Sequence, residues 1–203
     1  MKRNRLYNFL ASLARLSGKT IYRFTLTGAE NIPKEGAFLL CANHIHGWDA
    51  AAMAAASPRR LQFIAKSELF NTWIGRKFFT ACGAFPVQRD TADMQAFRNS
   101  MAVLKSGEGL MIFSQGTRMS REGFDNAKSG VAMFALKSGA PIIPAGIRGR
   151  YYPFAKLDVH IGKPIYMDKY AGRKIKAELL DEVMEEVSAQ ILSLSQKGIN
   201  PSK

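Results

Sequence analysis

Cysteine, histidine and acidic residues are all scarce in this chain, and each shortage removes a class of function. The two cysteines, Cys41 and Cys82, sit inside apolar stretches without regular spacing. That excludes a disulfide framework or a cysteine-built metal site and fits a reducing compartment. With three histidines there is little to build a metal centre from, and none is expected. The nearest approach to a ligand set is His44-Ile45-His46 followed by Asp49, while His160 falls on a separate predicted strand. No apolar run reaches the roughly 18 residues that a bilayer span needs. The first such run, residues 6–14, is broken by Asn8 and Ser12. It is also too short and polar for a signal-peptide core, although Lys2, Arg3 and Arg5 precede it and Ser12-Leu13-Ala14 resembles a cleavage site. The chain carries no Gly-x-Gly-x-x-Gly or Walker sequence, no repeat and no low-complexity linker.

The shortage of acids is the most informative. Asp and Glu number 16 against 29 Lys and Arg, a net charge of +13, which requires an anionic partner. Nucleic acid, anionic lipid and phosphorylated substrate all qualify. Nucleic acid is the weakest of these, because no binding motif and no interleaving of aromatic with basic residues is present. At 203 residues and 47% hydrophobic content the chain is the size of one ordinary globular domain.

The N-terminal stretch has an amphipathic helical pattern. Leu6, Phe9, Leu10, Leu13 and Leu16 recur at three- and four-residue steps. Lys2, Arg3, Arg5, Arg15, Lys19 and Arg23 all precede the first acid, Glu30. An apolar stripe with uncompensated positive charge describes a helix lying on an anionic membrane surface, where each charge contributes about 1 kcal/mol. The same stripe also describes an ordinary helix packed on a core.

Beyond Gly28, short apolar runs alternate with helical patterns. The expectation is an α/β fold: a mixed, largely parallel sheet flanked by helices, preceded by the N-terminal amphipathic helix. Strands are predicted at 37–42, 62–65, 85–88, 110–113, 142–146 and 158–161, and helices at 50–56, 73–82, 92–105, 130–138 and 174–195. The last helix places Leu179, Leu180, Val183, Val187 and Ile191 on one face.

The first segment able to carry chemistry is Asn43-His44-Ile45-His46-Gly47-Trp48-Asp49, between a predicted strand and an alanine-rich helix. A spacing of five puts His44 and Asp49 about 140° apart on a helix and on opposite faces of a strand, so they meet only across a turn, which Gly47 permits. If they meet, Asp49 accepts the proton of one imidazole nitrogen and leaves the other free to take a proton from a hydroxyl. Taken alone, the segment reads more simply, with Asp49 as a helix N-cap and His44 as a polar residue at a strand end.

The Asn-His-x-x-x-x-Asp pattern is not alone. Gly83-Ala84-Phe85-Pro86-Val87-Gln88-Arg89, Gly116-Thr117-Arg118 and Pro141-Ile142-Ile143-Pro144 follow in order, after a lead-in Gly28-Ala29-Glu30-Asn31-Ile32-Pro33. This ordered set resembles the blocks of the glycerolipid acyltransferases typified by 1-acylglycerol-3-phosphate acyltransferase, across residues 28–162. The resemblance implies an enzyme of phospholipid biosynthesis that moves a fatty acyl group onto the free hydroxyl of a lysophospholipid, lysophosphatidic acid giving phosphatidic acid. It implies His44 as general base and Asp49 as its orienter. Arg118, with Gly116 and Thr117, Arg89, Lys66 and Lys128 would hold the anionic acceptor, Lys128 standing just before a helix start. It further implies residues 1–24 as a membrane-associating helix and 25–203 as the acyltransferase domain, at the cytoplasmic face of the cell membrane. No cofactor is expected beyond the co-substrate, an acyl carrier protein or coenzyme A thioester.

One block departs from the family pattern. Its usual Phe-Pro-Glu-Gly-Thr-Arg here reads Phe113-Ser114-Gln115-Gly116-Thr117-Arg118, so an uncharged amide replaces the carboxylate. Gln115 therefore makes another lyso-lipid acceptor the alternative, and a His-Asp thioester hydrolase a second. Trp48, Met53, Phe78, Phe79 and Phe85 are candidates for lining an acyl tunnel, each with an ordinary core role as the simpler reading.

Overall fold

A strand buried along its whole length organises the molecule. In the computed structural model, β2 (Phe38–Ala42) has no exposed residue. Phe38, Leu40 and Ala42 enter one apolar cluster, while Leu39 and Cys41 enter another. Successive side chains on a strand point to opposite faces, and a parallel strand covered on both faces has no polar side to present. Burial also pushes the Cys41 thiol up to about 12. The structure describes residues 5–88, 93–114 and 124–197, and the side chains of residue 19 and residues 124–129 are not included.

Around β2 stand β1 (Arg23–Thr27), β3 (Leu61–Lys66), β4 (Ala84–Val87), β5 (Gly109–Phe113), β6 (Ile142–Gly149) and β7 (Lys156–Ile161). Their order is β1-β7-β6-β2-β5-β3-β4, with every neighbouring pair parallel except β6 and β7. On one face lie α1 (Arg5–Thr20), α2 (Asp49–Ala56) and α3 (Trp73–Ala81). On the other lie α4 (Met94–Lys105), α5 (Phe124–Ser138) and α6 (Ala177–Gln196). The mixed, largely parallel sheet flanked by helices is thus present, with an amphipathic helix ahead of it. The residues predicted on one face of the last helix are all buried. That helix reaches the sheet so closely that a Cβ on Gly146 would meet the Ser195 backbone nitrogen at 2.3 Å.

Three local expectations need correction. The first strand, β1, has no counterpart among the predicted strands: only Phe24 is half-buried and the rest are exposed. Such an edge strand has little apolar signal of its own, and its pairing comes from β7, which lies more than a hundred residues on. The predicted helix at 130–138 begins at Phe124, which puts Lys128 in its second turn instead of before its start. The third concerns the basic rim of the N-terminal helix, whose apolar stripe faces outward: Tyr7 and Ala11 are buried, while Leu6, Phe9, Leu13 and Leu16 are exposed. Arg15 is not part of a free rim. Its guanidinium donates to the Ala55 and Ser57 carbonyls at 2.7 and 2.6 Å, and so caps the C-terminal end of α2.

The lead-in motif has a structural reason. Gly28 adopts a left-handed φ of 78° directly against the Ile161 carbonyl, a position with no room for a Cβ. Asn31 donates to that same carbonyl at 3.0 Å, and the chain turns from β1 back toward the sheet.

Adjacent strands β2 and β5 send their chains to opposite faces, β2 into α2 and β5 toward α5. In open α/β sheets the carboxyl edge at such a divergence is where ligands bind.

Candidate active site

Asn43 and His44 follow the last residue of β2 at that edge. Asn43 is anchored across the sheet: its amide nitrogen donates to the Ile147 carbonyl at 2.8 Å, and its carbonyl accepts the Ile147 N–H at 2.7 Å. The chain then turns through Gly47 and enters α2 at Asp49. The turn brings together what the spacing separates. His44 Nδ1 lies 2.7 Å from Asp49 Oδ2. Because the partner is a carboxylate, Nδ1 is the donor, which fixes the tautomer and leaves the lone pair on Nε2. The His44 ring stacks on Phe113, the last residue of β5, with centroids 4.3 Å apart.

Asp49 is not the helix cap that its position in the sequence allows. Its side chain turns back into the preceding loop, where Oδ2 accepts the Ile45 and His46 amides at 2.6 and 2.8 Å. Oδ1 accepts from the Tyr151 hydroxyl at 2.6 Å. The carboxylate is 0% exposed. Burial by itself would raise its pKa, but the hydrogen bonds from His44, the His46 amide, Tyr151 and the Ile45 amide outweigh it and hold the group below the usual carboxylate range. A buried, ionised Asp49 is therefore available to orient an imidazole whose side chain is 23% exposed, an arrangement suited to proton abstraction from a hydroxyl at the edge.

The remaining predicted residues divide in two. Lys66 ends β3, two strands from β2, and by the register through β5 it stands level with Asn43. Ser114 is buried beside the base, with its N–H and its hydroxyl both donating to the Ala42 carbonyl, at 2.8 and 3.2 Å. The block that follows, Gln115, Gly116, Thr117 and Arg118, lies outside the described residues, as does Arg89 beyond β4, and the side chain of Lys128 is likewise outside. The five hydrophobic residues considered for an acyl tunnel do not converge. Met53 is fully buried, Phe79 and Phe85 pack against opposite faces of the sheet, and Trp48 and Phe78 are exposed. Among the described residues no group of His, Cys, Asp and Glu is arranged to hold a metal ion. His160 instead bonds Thr27 across the β1–β7 pair at 2.7 Å.

Sequence reasoning missed two residues here. The tie from Asn43 to Ile147 spans 104 positions, and Tyr151 lies 102 positions from Asp49. Tyr151 sits in an irregular loop between β6 and β7, where no periodicity marks it. The only local cue is a cluster of aromatics, Tyr151, Tyr152 and Phe154, just after the Pro-Ile-Ile-Pro block.

The profile of the acyltransferase family matches residues 23–148, from β1 through β6. The chain is 28% identical over 200 residues to a 1-acyl-sn-glycerol-3-phosphate acyltransferase of Bacillus subtilis, covering 95% of this chain and 98% of that one. It is 28% identical over 167 residues to the enzyme of the same name from Streptococcus pneumoniae, covering 79% of this chain and 61% of that one. In fold it is similar to the 1-acyl-sn-glycerophosphate (LPA) acyltransferase of Thermotoga maritima, with a TM-score of 0.67 and 24% identity, covering 96% of this chain and 83% of that one.

Proposed function

The chain belongs to the acyltransferase family, and from that premise we propose that it acylates the free hydroxyl of 1-acylglycerol-3-phosphate, giving phosphatidic acid. The names of its relatives support the acceptor, and the net charge of +13 suits an anionic one. The donor is a fatty acyl thioester of acyl carrier protein or coenzyme A, since both are anionic.

The observation that carries the reading is the 2.7 Å bond from His44 to a buried carboxylate. His44 Nε2 takes the proton of the acceptor hydroxyl as that oxygen attacks the thioester carbonyl. The tetrahedral intermediate collapses with cleavage of the carbon–sulfur bond, and the departing sulfur receives the proton from His44. No enzyme group becomes acylated. Asp49 holds the imidazole and stabilises its cationic form. Lys66, together with Arg118, Arg89, Lys128 and the Gln115-Gly116-Thr117 stretch, is assigned to the phosphate of the acceptor.

The exposed face of α1 is assigned to an anionic membrane at its cytoplasmic side. Leu6, Phe9, Leu13 and Leu16 face away from the core with Arg5 beside them, as an interfacial helix requires. None of the described helices is long and apolar enough to cross a membrane.

The test is acyl transfer from each thioester to lysophosphatidic acid by the native protein and by His44→Ala and Asp49→Asn. The expected loss for His44→Ala is roughly 10²- to 10⁴-fold. Thiol release that proceeds equally without acceptor would mean hydrolysis and reject the transferase, and full turnover by His44→Ala would reject the base.

A further inference from the structure

Three of the four hydrogen bonds on the Asp49 carboxylate converge on one oxygen. His44, the Ile45 amide and the His46 amide all serve Oδ2. Two of these belong to the loop that also carries the imidazole, so they fix Oδ2 but say little about the rotation of the carboxylate about its own axis. Oδ1 is served from elsewhere in the chain, by the hydroxyl of Tyr151 at 2.6 Å. A buried carboxylate oxygen without a donor carries a desolvation penalty, which this contact offsets.

Tyr151 is itself held in place. Its ring stacks on His46 with centroids 4.8 Å apart and meets Tyr22 edge-on at 6.3 Å. It packs against the apolar cluster under α2. Burial, then the hydrogen bond to Asp49 and the charge of that carboxylate, push the phenol far above its ordinary value, with Tyr22 adding to the effect. The hydroxyl is thereby held protonated, as the donor to Asp49. The titratable groups facing this pair are His44, His46 and Tyr22.

We propose that Tyr151 is a positioning residue that acts through Asp49. Its hydroxyl fixes the carboxylate's orientation and takes up part of its negative charge, and so limits how tightly the His44 imidazolium is held once the acceptor proton has been transferred. A base that binds its proton too tightly is out of action over more of the acidic range and returns the proton to the leaving sulfur less readily. This rests on His44 being the base.

The sign of the effect follows from the charge. Tyr151→Phe keeps the ring and its stacking but removes the donor, so more charge remains on Asp49 and the imidazolium is stabilised. The expected result is an acidic limb of the kcat/KM profile displaced to higher pH. We expect kcat to fall roughly tenfold, with KM for the lyso-acceptor within about twofold. A melting curve for the variant shows whether the fold is retained. A limb at the native position, in a folded variant, would overturn the inference while leaving the base intact. Undiminished turnover by His44→Ala would instead remove the base, and the inference with it.

Discussion

Asn43 grips the main chain of Ile147 with both ends of its amide, donating to the carbonyl at 2.8 Å and accepting from the N–H at 2.7 Å. One side chain thereby locks the end of β2 to the end of β6 immediately before the chain turns to present His44. The asparagine is less a reagent than a fastener for the residue that follows it.

That relationship predicts a double effect. Asn43→Ala leaves both groups of Ile147 without their protein partner, and we expect a destabilisation of about 2–4 kcal/mol in denaturant unfolding. Turnover should fall more steeply than stability requires, because the imidazole loses its mount. Asn43→Asp keeps the acceptor and loses the donor, and should lie between. Native-like kcat in a folded Asn43→Ala protein would refute the fastening role.

Asp49 predicts a pH dependence of stability. Its folded-state pKa is depressed by the hydrogen bonds it accepts, so the stabilisation is fully present above the ordinary Asp value of about 3.9. It is lost as pH falls through the folded value. Below about pH 4 the stability gap between the native protein and Asp49→Asn should close as pH falls through the folded value. Unfolding free energies measured from pH 4 down to pH 2 provide the check, and a gap that widened over that range would contradict the hydrogen-bond account.

The exposed stripe of α1 separates binding from folding. Leu13 and Leu16 are 50% and 61% exposed, so Leu13→Gln and Leu16→Gln remove little buried surface. We expect the double variant to melt within a few degrees of the native protein yet to sediment poorly with vesicles rich in anionic lipid. Tyr7→Ala on the opposite face should do the reverse and cost about 3–5 kcal/mol, because that ring is buried. Undiminished vesicle binding by the double variant would detach α1 from the membrane.

The sheet was legible because its inner strands announce themselves. Residues 37–42 and 142–146 form continuous apolar runs, as strands covered on both faces must, and α6 carries its buried residues at helical spacing. β1 was illegible for the converse reason: an exposed edge strand has no pattern of its own to read. The stripe on α1 is legible as apolar, but its direction is not. Tyr7 and Ala11 offer a second set of helically spaced residues, and only the partner α2 decides which set turns inward.

The sequence alone determined the α/β plan, the ordered acyltransferase blocks and the possibility that His44 and Asp49 meet, since periodicity and short-range spacing are properties of the chain itself. The tertiary structure decided the rest. It turned Asp49 away from its own helix, set Asn43 on Ile147 and brought Tyr151 to the free oxygen of the carboxylate. The last two of those choices join residues about a hundred positions apart. Their physical basis is the need of buried polar atoms for partners, which no local pattern encodes.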